Sequence, residues 1–289
     1  MPELPEVETI ARELRPLVVG RMIVDAWLDW PRQVKHPAPD EFLAELRGRE
    51  ILDVGRRAKW LVLPLSGAAA LIIQVKMTGQ LDVVAPKIAR DKHVHVVFTL
   101  DDGSELRMRD TRKFGRLALY TDAEAAAVLR TLGPEPLADD FTLADFRRRL
   151  RARRARLKTL LMDQAFLAGV GNIYADEALW RARLHPLRSA AGLAPAQERE
   201  LYGALRGVLA EAIERRGSSV DSYRAPAGAG EMQNHLDVYG RTGLPCPRCG
   251  RPTRRIVIGA RSSHFCSWCQ RLPGRERTPA TKTLLAGVR

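Results

Sequence analysis

The chain has 289 residues, of which 45% are hydrophobic and 28% are charged, and its formal net charge at pH 7 is +13. This composition is typical of a globular protein of about two domains and excludes a disordered chain. No apolar run reaches the roughly 18 residues of a membrane span, and the acidic N-terminus lacks a signal peptide's apolar region, so we expect a cytoplasmic protein.

The positive charge is concentrated in one half of the sequence. Residues 1–140 contain 20 Lys and Arg against 22 Asp and Glu, a net charge of −2, whereas residues 141–289 contain 27 against 12, a net charge of +15. Such asymmetry indicates a polyanionic partner, most simply nucleic acid. The alternative is a basic surface that only aids solubility.

The first predicted element is a helix over residues 3–18, with an apolar stripe at helical spacing: Val7, Ile10, Ala11 and Leu14. From residue 21 to about 120 the chain consists of short β-type runs separated by turn residues, with few helical patterns. The runs are MIVDAWL, EILDVGRR, KWLVLPL, ALIIQV, HVHVVFTL, ELRMRD and RLALYT. Many short strands of this kind predict an antiparallel β-sandwich or barrel.

Prolines in LGPEPLADD (132–140) interrupt the pattern and mark a domain boundary. Beyond it the sequence is helical over FTLADFRRRLRARRARLKTLLMD, NIYADEALWRARL and PAQERELYGALRGVLAEAIERRG. A stretch rich in small residues, 217–234, predicts a mobile loop. We therefore predict an α+β multidomain protein of four parts: a β-sandwich domain 1–133, a helical domain 134–239, a Cys-rich finger 240–270 and a flexible tail 271–289.

The opening sequence, MPELPEVETI, has two interpretations. Proline early in a helix and glutamates in its first turn suit the backbone and the helix dipole, so the stretch is an ordinary helix start. Alternatively, removal of Met1 leaves Pro2 with a free secondary amine beside the carboxyl group of Glu3. That pair suits nucleophilic and acid catalysis.

The four cysteines Cys246, Cys249, Cys266 and Cys269 have the spacing C-x2-C-x16-C-x2-C. Two such knuckles supply four thiolates for tetrahedral zinc, and disulfides are rare in the cytosol. The intervening RRIVIGARSSHFC predicts a β-hairpin that carries arginines toward a partner. Because four sulfurs close the site, we expect one structural Zn²⁺ and no catalytic metal.

Two glycines, Gly169 and Gly171, separate two predicted helices, and the second helix starts at Asn172, a good N-cap residue. Exposed amides at a helix start attract phosphate, and Lys158 lies in the preceding basic stretch. A capped αα-hairpin without ligand is the other interpretation of this stretch.

PELPEVET, DTRKFG, LMDQ…GVGNIYADEAL and the four-Cys finger occur in this order. With these motifs the sequence resembles the formamidopyrimidine-DNA glycosylase/endonuclease VIII family from residue 2 to about 270, and PELPEVET resembles its formamidopyrimidine branch. The resemblance implies a β-sandwich domain with an N-terminal helix, and a helical domain with a helix–two-turn–helix and a zinc-finger β-hairpin. Double-stranded DNA would lie in the cleft between them.

The resemblance also implies an activity: a bifunctional DNA glycosylase and AP lyase of base excision repair. Its substrates would be DNA with oxidised purines, such as 8-oxoguanine and formamidopyrimidines, or with abasic sites. Pro2 would form an iminium with the sugar, followed by β,δ-elimination. We expect a monomer in the bacterial cytoplasm, associated with the nucleoid through DNA.

Site residues follow from the same resemblance. Four residues would have catalytic roles: Pro2 as the nucleophile, Glu3 as the acid, Glu6 as a supporting carboxylate and Lys59 as a lysine near the damaged nucleotide. The residues expected to fill the gap left by the flipped base are Met77, Arg112 and Phe114. Further DNA contacts are expected from His93, Lys158, Asn172 and Arg261. The loop 217–234 corresponds to the segment that closes over the everted base, with Ser218, Ser219 and Tyr223.

Gln74 and Lys76 in QVKMTG depart from the family, whose members often have histidine and glycine at these positions. Met77, Thr78 and Gly79 are kept, so we expect the wedge to remain. Two rival functions stay open. One is an endonuclease VIII-type glycosylase for oxidised pyrimidines, and the other is a zinc-ribbon protein that binds damaged DNA without catalysis.

Overall fold

The computed structural model describes residues 1–220 and 223–286. Asp221 and Ser222, in the predicted loop 217–234, and residues 287–289, at the end of the predicted tail, lie outside the described residues. The chain divides into two compact units. Unit 1 comprises Met1–Thr131 and Ala212–Gln233, and unit 2 comprises Leu132–Glu211 and Asn234–Arg289.

Unit 1 is a β-sandwich with an N-terminal helix, as predicted. Its helices are α1 (Leu4–Val18), α2 (Pro39–Leu46) and α3 (Asp122–Leu129). Its strands are β1 (Met22–Leu28), β2 (Val34–His36), β3 (Arg49–Glu50), β4 (Gly55–Arg57), β5 (Trp60–Leu65), β6 (Ala69–Gln74), β7 (Gly79–Val84), β8 (Val94–Leu100), β9 (Glu105–Asp110) and β10 (Arg116–Thr121). One sheet has the order β3-β1-β8-β9-β7 and the other β2-β10-β6-β5-β4. Every pairing is antiparallel except β2 with β10.

The core of unit 1 forms where the apolar stripe of α1 meets side chains of both sheets. All four stripe residues named above are buried. Along β5 burial alternates, with Leu61, Leu63 and Leu65 inside, because successive strand residues face opposite sides of the sheet. Tyr223 and Ala225 belong to the same core cluster, so the chain segment 212–233 completes it.

Unit 2 contains the helices and the hairpin expected after the domain boundary. Its elements are α4 (Leu143–Arg151), α5 (Leu157–Leu161), α6 (Asn172–Arg181), α7 (Pro195–Glu214, which ends in unit 1), β11 (Arg254–Ile258), β12 (Arg261–Phe265) and α8 (Pro279–Ala286). β11 and β12 form the predicted antiparallel hairpin. Among the described residues, no helix combines the length and hydropathy needed to cross a membrane.

Several details differ from the sequence prediction. The segment 212–233 packs with unit 1, whereas we placed it in a helical domain 134–239. The continuous helix expected around 141–163 is interrupted after Arg151. The cause is that the backbone of residues 155–157 forms hydrogen bonds with residues 188–190. Leu157 N–H donates to the Arg188 carbonyl, and Ala190 N–H donates to the Ala155 carbonyl. The short helix α2 was not predicted.

The described part of the tail, residues 271–286, contains regular structure that the sequence analysis did not expect. α8 packs Leu284 and Leu285 against the zinc-hairpin side chains Ile256, Ile258 and Phe265. Glu276 accepts a hydrogen bond from the Ser189 amide at 2.7 Å and lies 3.1 Å from Arg188. These contacts join residues distant in sequence, so local composition does not reveal them.

Candidate active site and nucleic-acid-binding residues

The first turn of α1 holds the three expected N-terminal site residues together. Pro2, Glu3 and Glu6 are all buried. The amide of Glu3 donates to Glu6 Oε2 at 2.7 Å, so Glu6 caps the start of the helix and fixes the backbone next to Pro2. In this structure Met1 precedes Pro2, whose nitrogen is therefore part of a peptide bond.

Glu6 also anchors the segment that returns from α7. Its Oε1 accepts a hydrogen bond from the Ser218 amide at 2.7 Å, and the Tyr223 hydroxyl donates to the Glu6 carbonyl at 3.2 Å. Gly217 makes this approach possible: its φ is 75°, and a Cβ there would lie 2.8 Å from Glu6 Cγ. Burial and the nearby Glu6 charge raise the pKa of Tyr223, which keeps its hydroxyl protonated as a donor.

Hydrogen bonds within the same segment also hold its conformation. Ser219 N–H donates to Gln233 Oε1 at 2.8 Å, and Gly230 N–H donates to Ser219 Oγ at 2.9 Å. The described part of the predicted loop 217–234 is therefore an ordered turn against the start of α1. Sequence reasoning expected Ser218, Ser219 and Tyr223 in a mobile loop and missed the anchoring role of Glu6.

Met77, Arg112 and Phe114 form one exposed group, although two loops supply them. The Arg112 guanidinium lies 4.6 Å from the centre of the Phe114 ring, and its Nη1 is 3.3 Å from Met77 Sδ. Met77 is 36% exposed and Phe114 48%, so neither side chain belongs to the buried core. Two apolar side chains and a guanidinium together suit insertion into a base stack.

Asp110, at the end of β9, holds these loops in place, and its role was missed. Its Oδ1 accepts hydrogen bonds from the Thr78 hydroxyl and the Arg112 amide, while Oδ2 accepts one from the Gly115 amide at 2.7 Å. The Asp110 amide donates to the carbonyl of His93, which places that expected DNA-binding residue beside the same turn, half-buried. The aspartate that opens DTRKFG is the signal that could have revealed this, since such residues bond to the backbone two positions on.

A positively charged pocket of about 440 Å³, which we call the cationic pocket, lies beside these loops. Its lining residues are Met1, Trp30, Arg32, Lys35, Lys76, Met77, Lys113, Phe114, Gly115 and Arg116. The lining contains five Lys or Arg residues and no carboxylate, although residues 1–140 as a whole are slightly acidic. Lys59 is close enough for its charge to lower the pKa of Lys76, after the larger effects of burial and of Arg116. Sequence reasoning missed the pocket because its residues come from separate loops.

In unit 2, Lys158 does not have the exposed position expected of a phosphate contact. Its side chain is 1% exposed, and Nζ donates to Asp176 Oδ1 and to the Asn172 carbonyl, both at 2.7 Å. Asp176 Oδ2 in turn accepts from the amide of His264 in β12 at 2.8 Å. Lys158 therefore connects α5 to the start of α6, and Asp176 connects α6 to the hairpin.

The other expected contacts of unit 2 are more accessible. α6 begins at Asn172, which is half-buried, with Gly171 as its N-cap, one residue earlier than predicted. Arg261 is exposed at the first position of β12, beside the hairpin turn. Both suit binding of an anion, Asn172 at a helix start and Arg261 on a hairpin.

Glu177 on α6 is a further residue that sequence reasoning missed. Its buried carboxylate accepts hydrogen bonds from the amides of Asp237, Val238 and Tyr239 and so holds the chain that leads into the finger. Burial raises the pKa of Glu177 to about 7, against the effect of these three donors.

The four cysteine sulfurs form one cluster and lie within 4.8 Å of one another. The Sγ atoms of Cys249 and Cys266 are 3.5 Å apart, and those of Cys246 and Cys269 are 4.0 Å apart. Sulfurs bound about 2.3 Å from a tetrahedral zinc are about 3.8 Å from one another, so the cluster fits Zn²⁺. No disulfide joins these cysteines. The four thiolates fill the coordination shell, which makes the site structural.

Models of known protein families match three parts of the chain. The model described as "Formamidopyrimidine-DNA glycosylase N-terminal domain" matches residues 1–117, and "Formamidopyrimidine-DNA glycosylase H2TH domain" matches 132–224. "Zinc finger found in FPG and IleRS" matches 243–272. The chain belongs to the formamidopyrimidine-DNA glycosylase family. This confirms the predicted family and the single structural zinc.

Individual members of the formamidopyrimidine-DNA glycosylase family match over almost their whole length. The formamidopyrimidine-DNA glycosylase of Herpetosiphon aurantiacus is 51% identical over 272 residues, which are 93% of this chain and 100% of the relative. That of Enterococcus faecalis is 42% identical, over 95% of this chain and 99% of the relative.

Solved structures of the family agree with the fold. Lactococcus lactis Fpg in complex with DNA containing an abasic site has a TM-score of 0.88 at 35% identity, covering 93% of this chain and 100% of that chain. The Thermus thermophilus MutM (FPG) protein has a TM-score of 0.84 at 44% identity, covering 93% and 98%. The predicted fold class is therefore confirmed.

Proposed function

We propose that this DNA glycosylase of base excision repair excises oxidised purines from duplex DNA and cleaves the resulting abasic site, with Pro2 as nucleophile once Met1 is removed. The observation that carries the proposal is the buried Pro2–Glu3 pair at the start of α1, held by Glu6, in a member of this family. A location in the cytoplasm, with the chromosome, suits this substrate.

The chemistry requires an amine that is partly neutral near pH 7. An α-amino group has a pKa near 8, well below that of lysine, so a processed Pro2 meets this requirement. Its lone pair attacks the sugar C1′, the bond to the damaged base breaks, and the base leaves with the bonding electrons and takes up the proton that the attacking nitrogen loses. Glu3 donates a proton to the ring oxygen as the sugar opens. The product is an iminium between Pro2 and C1′.

The iminium then promotes strand cleavage. A secondary amine forms an iminium that stays cationic, because its nitrogen has no further proton to lose. This cation withdraws electrons from C2′, a C2′ proton is lost, and the C3′–O bond breaks, so the 3′ phosphate leaves by β-elimination. A second, δ-elimination breaks the C5′–O bond, and water then hydrolyses the iminium, which releases the sugar remnant and regenerates the Pro2 amine. Neither elimination needs a metal cofactor, which agrees with a zinc site that is only structural.

Other site residues support base eversion. Moving the target base out of the stack costs a few kcal/mol. Met77 and Phe114 occupy the vacated space, and the Arg112 guanidinium, held between them, bonds the orphaned partner base. Ser218 and Ser219 form the rim over the everted base, with Tyr223 fixing their turn to α1. Lys59 and His93 contribute contacts near the damaged nucleotide.

Unit 2 supplies contacts to the phosphate backbone. Asn172, at the start of α6, and Arg261, on the hairpin, contact phosphate directly, whereas Lys158 positions the α6 terminus from its buried site. The net charge of +15 over residues 141–289 favours such binding.

Borohydride trapping on an 8-oxoguanine duplex tests the proposal. The processed protein should form a covalent adduct, and protein with Met1 retained should not. Equal trapping by the Met1-retaining protein would refute the proline mechanism. Trapping on an oxidised-pyrimidine duplex, measured in parallel, tests for endonuclease VIII-type specificity. Binding to damaged DNA without any trapping would indicate a protein that binds damage without catalysis.

A further inference from the structure

Lys76 has a strained backbone at the rim of the cationic pocket. It directly precedes Met77 in the turn between β6 and β7, and its φ is 55°, in the left-handed region. Glycine, which family members often have at this position, adopts that conformation without a steric cost, whereas lysine does not. Gly79 N–H closes the turn on the Val75 carbonyl at 2.9 Å, so the chain there has little freedom to relax.

The Lys76 side chain also lies in an unfavourable electrostatic environment. Burial and the charges of Arg116 and Lys59 lower the pKa of its ammonium group. Among the described residues, this group makes no hydrogen bond and no ion pair. Strain and like-charge repulsion therefore coincide at one residue, and strained conformations of this kind are often found at functional sites.

An anion in the cationic pocket would offset the repulsion. The lining of Lys76, Arg116, Lys113 and their neighbours offers hydrogen-bond donors and no carboxylate. Met1 lines the cationic pocket, so the pocket lies beside the proposed nucleophile, Pro2. A nucleic-acid strand whose sugar reaches Pro2 carries its adjacent phosphates close by.

We propose that Lys76 binds a backbone phosphate of the damaged strand, next to the reacting nucleotide, and that this chain thereby gains a contact that a glycine at position 76 cannot provide. The inference rests on the proposed function, because it takes the position of the strand from the role of Pro2.

The test is the salt dependence of binding to a duplex with a tetrahydrofuran abasic-site analogue. Each phosphate contact contributes about 0.9 to the slope of log K against log salt concentration. Lys76→Gln removes the charge and keeps the β-carbon, Lys76→Gly removes both, and Lys76→Arg keeps a cation. Lys87→Gln, at an exposed lysine of the same unit outside the pocket lining, is the matched control.

We expect Lys76→Gln and Lys76→Gly to lower the slope by about 0.9, and Lys76→Arg and Lys87→Gln to leave it as in the wild type. An unchanged slope in Lys76→Gln would overturn the proposal, as would an equal loss on an undamaged duplex, which would show a contact unrelated to the lesion. Trapping by protein with Met1 retained that disappears when Lys76→Gln is added would make Lys76 a reacting amine instead. If wild-type protein fails to trap, the Pro2 mechanism fails while the slope still reports on Lys76.

Discussion

Lys158 and Asp176 form a buried ion pair, with Nζ 2.7 Å from Oδ1 and the side chains 1% and 0% exposed. Asp176 also accepts the amide hydrogen bond of His264 in β12. A single carboxylate therefore joins α5, α6 and the zinc hairpin. Losing one partner of such a pair leaves a buried charge without compensation, which typically costs 3–5 kcal/mol.

Asp176→Asn should therefore destabilise unit 2 by roughly 3 kcal/mol and weaken DNA binding, while zinc content stays at one ion per chain. The thermal unfolding midpoint and metal analysis measure these effects. Adding Lys158→Met removes the stranded charge and should recover part of the lost stability. If the double variant is no more stable than the single one, the ion pair is not the source of the loss.

Gly217→Ala should impair both folding and catalysis, because the added Cβ meets Glu6 Cγ at 2.8 Å and φ is 75°. Gly20→Ala is the matched control: its φ is 78°, with nothing within 4 Å of the added Cβ. The control should lose about 1 kcal/mol from backbone strain alone and still trap on damaged DNA. Equal stability and trapping in the two variants would contradict the importance of the Glu6 contact.

His185 should make stability depend on pH. Burial, together with the Arg277 charge, lowers its pKa to about 4, from 6.5 in the unfolded chain. Between pH 4 and pH 6.5 the unfolded state therefore binds more protons than the folded state. The stability that neutral His185 contributes is fully present above pH 6.5 and is lost as the pH falls toward 4. The difference between the unfolding curves of wild type and His185→Gln should shrink over this range. A constant difference would show that His185 does not titrate there.

The C-terminal helix should stabilise the zinc hairpin. Leu284→Ala with Leu285→Ala removes half-buried side chains that pack on Ile256 and Phe265, and should cost about 1–2 kcal/mol, below the usual range for a fully buried leucine. Lys282→Ala, at an exposed position of the same helix, should have little effect. Thermal unfolding of zinc-loaded protein makes the comparison.

Zinc removal should abolish tight DNA binding. Without metal, four thiol groups occupy a cluster that the two knuckles cannot close, and the hairpin that carries Arg261 loses its support. Binding to a tetrahydrofuran duplex before chelation, after chelation and after zinc is restored measures the effect. Unchanged DNA affinity in the metal-free protein would show that the zinc finger does not contribute to DNA binding.

The sequence predicted most of the fold because its signals are local. β1, β9 and β10 coincide with their predicted runs, and the stripe of α1 is buried as its spacing requires. α2 was missed because eight residues with two buried side chains, Phe42 and Leu46, give too short a periodic pattern.

The candidate site was less predictable where distant residues combine. The burial of Lys158 depends on Asp176, eighteen residues along the chain, and charge composition alone marks the lysine as a surface group. The cationic pocket gathers residues near positions 30, 76 and 113 through the order of the strands, which no local pattern shows. The family motifs supplied the candidate site residues, and the structure added the contacts that hold them.

The segment 212–233, which completes the core of unit 1, also sets an order of events during translation. The first 131 residues leave the ribosome long before this segment exists, so the contact of Glu6 with Ser218 cannot yet form. During that interval the start of α1 lacks its cover. An aminopeptidase acting in that interval would meet Met1 before the contact of Glu6 with Ser218 exists, so the proposed proline amine would form before this contact does.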